Sequence, residues 1–498
     1  MLLKVKIMAV GALMLCAVAL CAQTVAKPQP VTTTKAVKSP GYNITINITP
    51  FKNQWLFLAY HYGSVKGLAD SAYADATGKA VLEGDTPLQH GIYIVASPNK
   101  TILFEMLMSN DQVFSVAGDT LDLNKSIRFT GSDENERFVG YTKYVNRIAI
   151  EGEEARKQLP KTVDAAERFR LEKVIAASVV SIDSFRTSYV KQYPNDMLTV
   201  LFKGMEETKL PAALQNPKTN ADSIAQYRYG KTHYWDGVDF MDGRLVRTPI
   251  LESKLKTYLN SWVVPEADSL IYEFNWMIAL GRNDPEMFRY LIGYYVDNYM
   301  YPKVMGQDKV FLHVYERYIG GDKPKVDWLN ERQLKVIRER AYMLMANQLG
   351  AAAWDMELVD TAGKPQNLYG VNAKYTVVAF WDVHCGKCRE ELPRMDTLYR
   401  DTWKQNGVQI YAVMVNEESV KDWPPFINDH AKGWVHVHQT AAMRTAEEKA
   451  QKPNFRQLYD MRSTPTLFLL DADKKIIAKS IGLTDLDKVL QQKFAQAK

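Results

Sequence analysis

The sequence predicts a multidomain chain: a small N-terminal β-sandwich, a central all-α domain and a C-terminal α/β domain. Three observations carry this. The length, 498 residues, exceeds what one hydrophobic core organises, and the usual domain size gives roughly three units. The apolar period is two over 42–132 and becomes helical over 133–350. Over 351–498 strand-like and helix-like runs alternate, the pattern of a sheet covered by helices.

Residues 1–22 place Lys4 and Lys6 before an apolar run, 7–20, and end on Ala22, a small residue suited to cleavage. This reads as a secretory signal peptide, since the run is short for a membrane span. An uncleaved anchor is the alternative. An acylated cysteine would need a small residue before it, whereas Leu15 precedes Cys16 and Leu20 precedes Cys21. Residues 23–41, rich in Pro, Thr, Lys and Ala, read as a flexible linker.

In the β-rich domain, Ile44, Ile46 and Ile48 alternate with polar residues. Further apolar runs at 55–62, 92–95, 102–108 and 114–116 are punctuated by Gly63, Gly78, Gly84, Pro98-Asn99 and Gly118-Asp119. Short strands at that spacing predict the sandwich. In the helical domain, Leu334, Ile337, Ala341 and Leu344 share one face. So do Met287, Leu291 and Tyr294, behind a helix start at Asp284-Pro285. The stretch 233–259 is dense in aromatics and acids. Tyr234, Trp235 and Phe240 are read there as helical core in preference to a carbohydrate or peptide platform, and Asp236, Asp239 and Asp242 lack the spacing of a calcium loop.

In the last domain, strands are expected at 355–359, 375–381, 408–415 and 434–437, with a hairpin from 466–470 and 475–481. Residues 362–365 read as a turn. Helices are expected at 385–404, 420–431, 455–459 and 486–494. Pro393 should kink the first of these.

The chain has four cysteines. Cys16 and Cys21 leave with the signal peptide, so the mature chain keeps Cys385 and Cys388 alone. Exported proteins normally use cysteines as distant staples, and a C-x-x-C loop is too small to stabilise much. A redox pair is the better reading. The apolar strand delivers Cys385 to the start of a helix, where unpaired amides and the helix dipole favour a thiolate. Lys387, and His384 when protonated, would add positive charge. Cys388, one turn further in, should keep its proton. Cys385 is then the nucleophile and Cys388 the resolving thiol. Glu391, three residues past Cys388 and on its helical face, is the candidate base for the resolving step.

Other chemistries fit less well. The net charge of +5 falls to +3 once Lys4 and Lys6 are removed, and no basic run supports nucleic-acid binding. His436 and His438 would complete a four-ligand metal site with the cysteines. A cysteine opening a helix behind a buried strand is nevertheless unlike a zinc knuckle. A peroxidase would use a lone peroxidatic cysteine. No Gly-rich phosphate cradle occurs.

The ordered set F-W-x-x-x-C-x-x-C-x-x-E-x-P at 380–393, followed by T-P-T-x-F-L-x-D at 464–471, resembles the TlpA/ResA-like thioredoxin module. The resemblance covers 354–498 and implies a thioredoxin-like fold and thiol–disulfide oxidoreductase activity. It also implies a nucleophilic Cys385, a functional Glu391 and a cis Pro465 after Thr464. Trp381, His384, Lys387, Thr464 and Pro465 are the expected client-contacting residues. Two positions depart from the pattern. Ala379 replaces a buried acid that helps deprotonate the second thiol, and His384 replaces an aromatic; both leave the direction of electron flow open. The segments HYWDGVDFMDGRLVRTPI, NDPEMFRYLIGYYVDNYM and KVMGQDKVFLHVYERYI resemble an uncharacterised helical domain that precedes such modules in exported bacterial proteins. The β-rich start resembles a second uncharacterised domain of that architecture.

The expected function is therefore exchange of disulfides with protein clients in the periplasm of a Gram-negative bacterium, as a reductant fed by a membrane electron donor. No cofactor or metal beyond the Cys385–Cys388 redox pair is expected, nor any nucleic-acid partner or stable membrane span after signal cleavage. The alternative is a cell-envelope binding or scaffold protein whose cysteine pair is a redox switch or part of a metal site.

Overall fold

The computed structural model describes residues 41–49, 51–321 and 325–496. The expected signal peptide, and all but the last residue of the expected linker, lie outside the described residues.

Among the described residues, eight strands come first: β1 (Tyr42–Thr49), β2 (Gln54–Tyr62), β3 (Val65–Ala74), β4 (Lys79–Gly84), β5 (Gly91–Ala96), β6 (Ile102–Met108), β7 (Val113–Asp119) and, after a single turn α1 (Leu123–Ser126), β8 (Arg128–Thr130). They form two sheets, β4-β1-β7-β8 and β3-β2-β5-β6. Ile44, Ile46 and Ile48 are fully buried between them with Leu56, Leu58, Tyr93, Val95 and Met106. The alternation works where one face of a strand is sealed, as in β1 and β4, whereas β5 is buried on both faces. Gly63, at φ +58°, supplies the left-handed turn joining β2 to β3.

The helical region runs through α2 (Asp133–Gln158), α3 (Ala165–Gln192), α4 (Met197–Gly204), α5 (Asn220–Thr232), α6 (Ile250–Ser261), α7 (Ala267–Gly281), α8 (Pro285–Tyr299), α9 (Asp308–Val314) and α10 (Glu331–Met345). Asp284 caps α8 by accepting from the Met287 amide at 2.8 Å, with Pro285 at the first helical position. Trp235 and Phe240 are buried in this core beside Tyr258. Ile337, Ala341 and Leu344 bury one face of α10.

The carboxy-terminal domain is one mixed sheet flanked by helices. Its strands are β9 (Glu357–Val359), β10 (Pro365–Asn367), β11 (Tyr375–Trp381), β12 (Val408–Met414), β13 (Val435–His438), β14 (Thr466–Leu470) and β15 (Ile476–Ile481). They pair in the order β10-β9-β13-β12-β11-β14-β15. β11 runs parallel to β12 and antiparallel to β14. The helices are α11 (Gly386–Leu398), α12 (Trp423–His430), α13 (Ala441–Lys449), α14 (Phe455–Leu458) and α15 (Leu483–Gln496). Every residue of β11 is buried. Val377, Ala379 and Trp381 join one core, Val378 and Phe380 the other.

Several elements differ from expectation. α11 begins after Cys385 and stops at Leu398, followed by a wide π turn over Tyr399–Trp403 that buries both aromatics. α12 starts only at Trp423, because Pro424 and Pro425 lack the N–H groups an interior position would need. The residues before it form a 3-10 turn, Glu417–Asp422. Pro365 opens the edge strand β10 where a turn was expected. A proline is tolerated there because an edge position need not donate. α13 was not expected and buries none of its residues.

Buried polar contacts join the helical and carboxy-terminal domains. Lys479 on β15 reaches Asp308 at 2.6 Å and Asn347 at 2.9 Å. Arg340 pairs with Asp460, and Asn347 Nδ2 donates to the Leu458 carbonyl at 3.0 Å.

Candidate active site

β11 ends at Trp381, and the chain turns sharply before α11. The Asp382 carboxylate accepts from the His384 amide at 2.9 Å, and its carbonyl accepts from the Cys385 amide at 3.1 Å. This local turn leaves Cys385 in extended geometry at the N-cap of α11. Its sulfur accepts from the Cys388 amide at 3.4 Å, the place where a capping oxygen normally sits. Both cysteines are free thiols; Cys385 is partly exposed and Cys388 is sealed.

The Thr464–Pro465 peptide is cis. The Thr464 carbonyl accepts from the Cys385 thiol at 3.2 Å. Cys385, Cys388 and the Thr464 loop are thus brought together from residues almost eighty positions apart.

The two sulfurs sit in opposite environments. Partial burial pushes the Cys385 thiol up. Hydrogen bonds from the Thr464 and Cys388 side chains and from the Cys388 and Lys387 amides outweigh it, so the net shift is below the ordinary thiol value. Cys388 is pushed up to about 12, by burial first and then by the neighbouring Cys385, against the opposing pull of the Asp382 backbone and the Thr464 side chain.

The charged neighbours act differently from expectation. Lys387 contributes its backbone amide to Cys385, while its ammonium turns along the helix to Glu391, 3.6 Å away. The His384 ring is turned to Asp422, with Nε2 3.0 Å from Oδ2. Glu391 stands three residues past Cys388 on α11, largely covered.

Trp381 does not face a client, contrary to expectation. It is fully buried against Trp423 and Phe426, with ring centroids 6.4 and 5.3 Å away, and shares the core of Cys388. A strand buried on both faces has no surface to offer a client. Trp381 supports the pair from beneath, and its truncation to Ala costs about 3–5 kcal/mol. Ala379 lies on the same apolar floor.

The histidine pair is not assembled with the cysteines as a ligand set. His436 Nε2 lies 2.9 Å from the Ala431 carbonyl, and both rings pack on Trp423. Among the described residues no group of three or more His, Cys, Asp or Glu side chains is placed to hold a metal ion. Sequence reasoning missed Asp382, whose only signal was an acid between the strand and the first cysteine. It also missed the Thr464 side chain, expected only for its backbone.

Residues 349–479 match the AhpC/TSA family, and residues 184–347 match a domain of unknown function, DUF5106. The chain is 30% identical to the thiol-disulfide oxidoreductase ResA of Bacillus thuringiensis strain Al Hakam over 137 residues, covering 27% of this chain and 70% of the relative. It is 27% identical to ResA of Bacillus subtilis over 133 residues, 27% of this chain and 67% of the relative. Among solved structures, it is similar to a thioredoxin-like protein from Bacteroides caccae, with 20% identity and a TM-score of 0.44 over 57% of this chain and 97% of that one. It is also similar to the thioredoxin domain of a thiol-disulfide oxidoreductase from Bacteroides vulgatus, with 26% identity and a TM-score of 0.25 over 29% of this chain and 96% of that one.

Proposed function

Because the chain belongs, through its carboxy-terminal domain, to the family of ResA thiol-disulfide oxidoreductases, we propose that it is exported and reduces disulfides of protein clients through Cys385 and Cys388. The asymmetry of the two sulfurs carries this reading. One is partly exposed at a helix start with a lowered pKa, and its neighbour is buried with a raised one.

The Cys385 thiolate attacks one sulfur of the client disulfide. The client S–S bond breaks, and its departing thiolate takes a proton from solvent. Glu391 then accepts the Cys388 proton, and the Cys388 sulfur attacks Cys385. The mixed disulfide breaks, the second client thiolate leaves and is protonated, and a Cys385–Cys388 disulfide remains. Two electrons have passed to the client. A dithiol donor at the membrane restores the pair. Thr464 and Pro465 receive the client's extended chain, with His384 and Lys387 at the rim. No cofactor other than the cysteine pair enters.

The signal-like residues 1–22 support export to the periplasm of a Gram-negative bacterium. No helix among the described residues is long and apolar enough to cross a membrane. The test is reduction of insulin disulfides by the full chain with a dithiol donor. Wild type should turn over, and Cys385→Ser should not. Equal, near-zero rates for both would refute the proposal and favour a binding or scaffold protein.

A further inference from the structure

The helical domain reaches the Thr464 loop through Tyr301, which follows α8, and Arg340 of α10. The Met300 carbonyl accepts from Arg340 Nε at 2.9 Å. The ring of Tyr301 faces two guanidiniums, with Arg340 Cζ 4.6 Å and Arg462 Cζ 4.9 Å from its centroid. Both arginines also face Asp460. Arg340 Nη1 pairs with Oδ1, and Arg462 Nε stands 3.9 Å from Oδ2.

Asp460 is the pivot of the loop. At φ +46° it takes the left-handed conformation that ends α14 and redirects the chain, a conformation Asp tolerates better than most residues. Four residues later comes Thr464, whose carbonyl meets Cys385. Arg340 and the Asp460 carboxylate are buried, whereas Tyr301 and Arg462 are about half exposed. The outer half of the clamp therefore depends on cation–π contact, and the one that crosses to the loop, Tyr301 with Arg462, favours the docked loop by about two- to fivefold.

We infer that Tyr301, a residue of the helical domain, is a positioning residue for disulfide exchange: with Arg340, Asp460 and Arg462 it holds the 460–464 loop where an extended client chain meets Cys385. The inference rests on the exchange chemistry proposed above. It gives the helical domain a direct part in client selection, acting on the loop and not on the sulfurs.

The test compares the full chain with Tyr301→Ala and Tyr301→Phe. Hydrogen exchange of the 460–464 amides reads the clamp without any client. It should quicken about two- to fivefold in Tyr301→Ala and stay at the wild-type rate in Tyr301→Phe, which keeps the ring. With a peptide disulfide as substrate, Tyr301→Ala should raise KM about three- to fivefold. The rate with a small aromatic disulfide, which does not span the loop, should stay within about twofold of wild type. Unchanged exchange in Tyr301→Ala overturns the inference, as does an unchanged KM for the peptide, or a parallel loss with both disulfides. A wild-type chain that reduces no peptide disulfide would refute the proposed activity, while the exchange measurement still decides whether the clamp exists.

Discussion

Lys479 Nζ lies 2.6 Å from Asp308 Oδ2, in a buried ion pair that ties β15 of the carboxy-terminal domain to α9 of the helical domain. Burial holds the Lys479 ammonium below its ordinary pKa, and the charge and hydrogen bond of Asp308 oppose that shift. The pair's main effect is therefore to keep each partner from being a lone buried charge. Asp308→Ala should cost about 3–5 kcal/mol of stability, whereas the apolar exchange Asp308→Leu with Lys479→Met should be much milder. Urea unfolding of the single and double variants checks this. Equal destabilisation by both would show that the pair contributes more than mutual compensation.

His436 predicts an acid-side weakness. Burial holds its pKa down at about 4 against an ordinary 6.5, and the hydrogen bond to the Ala431 carbonyl only partly resists. Between those values the unfolded chain binds a proton that the native chain does not. The contribution of His436 to stability should therefore fall as pH drops from 6.5 toward 4, by about 3 kcal/mol. His436→Leu should melt lower at neutral pH yet lose less on acidification. Melting curves with the wild-type acid slope in that variant would locate the sensitivity elsewhere.

The cysteine pair should label unequally. At neutral pH iodoacetamide should modify Cys385 readily and Cys388 hardly at all. With a pKa of about 12, the Cys388 thiolate is roughly one part in 10^5 at pH 7. Cys388→Ser should accumulate mixed disulfides through Cys385, visible on non-reducing gels. Peptide mass spectrometry reads the labelling directly, and comparable modification of both sulfurs would contradict the assigned roles.

Glu391→Gln should separate the two chemical steps. The first attack, followed by rapid mixing with a client disulfide, should proceed near the wild-type rate. Release should slow by about 10²-fold, the lower end of general-base effects, so the covalent intermediate should build up. An unchanged release rate would reduce Glu391 to the ion pair with Lys387.

Local signals made much of this molecule legible. The C-x-x-C spacing and the late T-P-T are short, contiguous patterns, so Cys385, Cys388 and Pro465 could be singled out before any fold was known. The sandwich was legible because Ile44, Ile46 and Ile48 face one sealed interior. Trp381 was misplaced because β11 is buried on both faces and carries no alternation to separate inside from outside. α13 has no buried stripe to read. The contacts of Tyr301 with Arg462, and of Lys479 with Asp308, join residues far apart in the chain and of ordinary composition. Only the folded arrangement reveals them.

The methyl group of Ala379 has a kinetic meaning. Beneath the cysteines the floor is apolar and position 379 offers no acid, so in the proposed exchange the Cys388 proton goes to Glu391 on α11, which also pairs with Lys387 3.6 Å away. Salt screens that ion pair, so in the proposed exchange it should change how long a client stays covalently attached, without touching either sulfur.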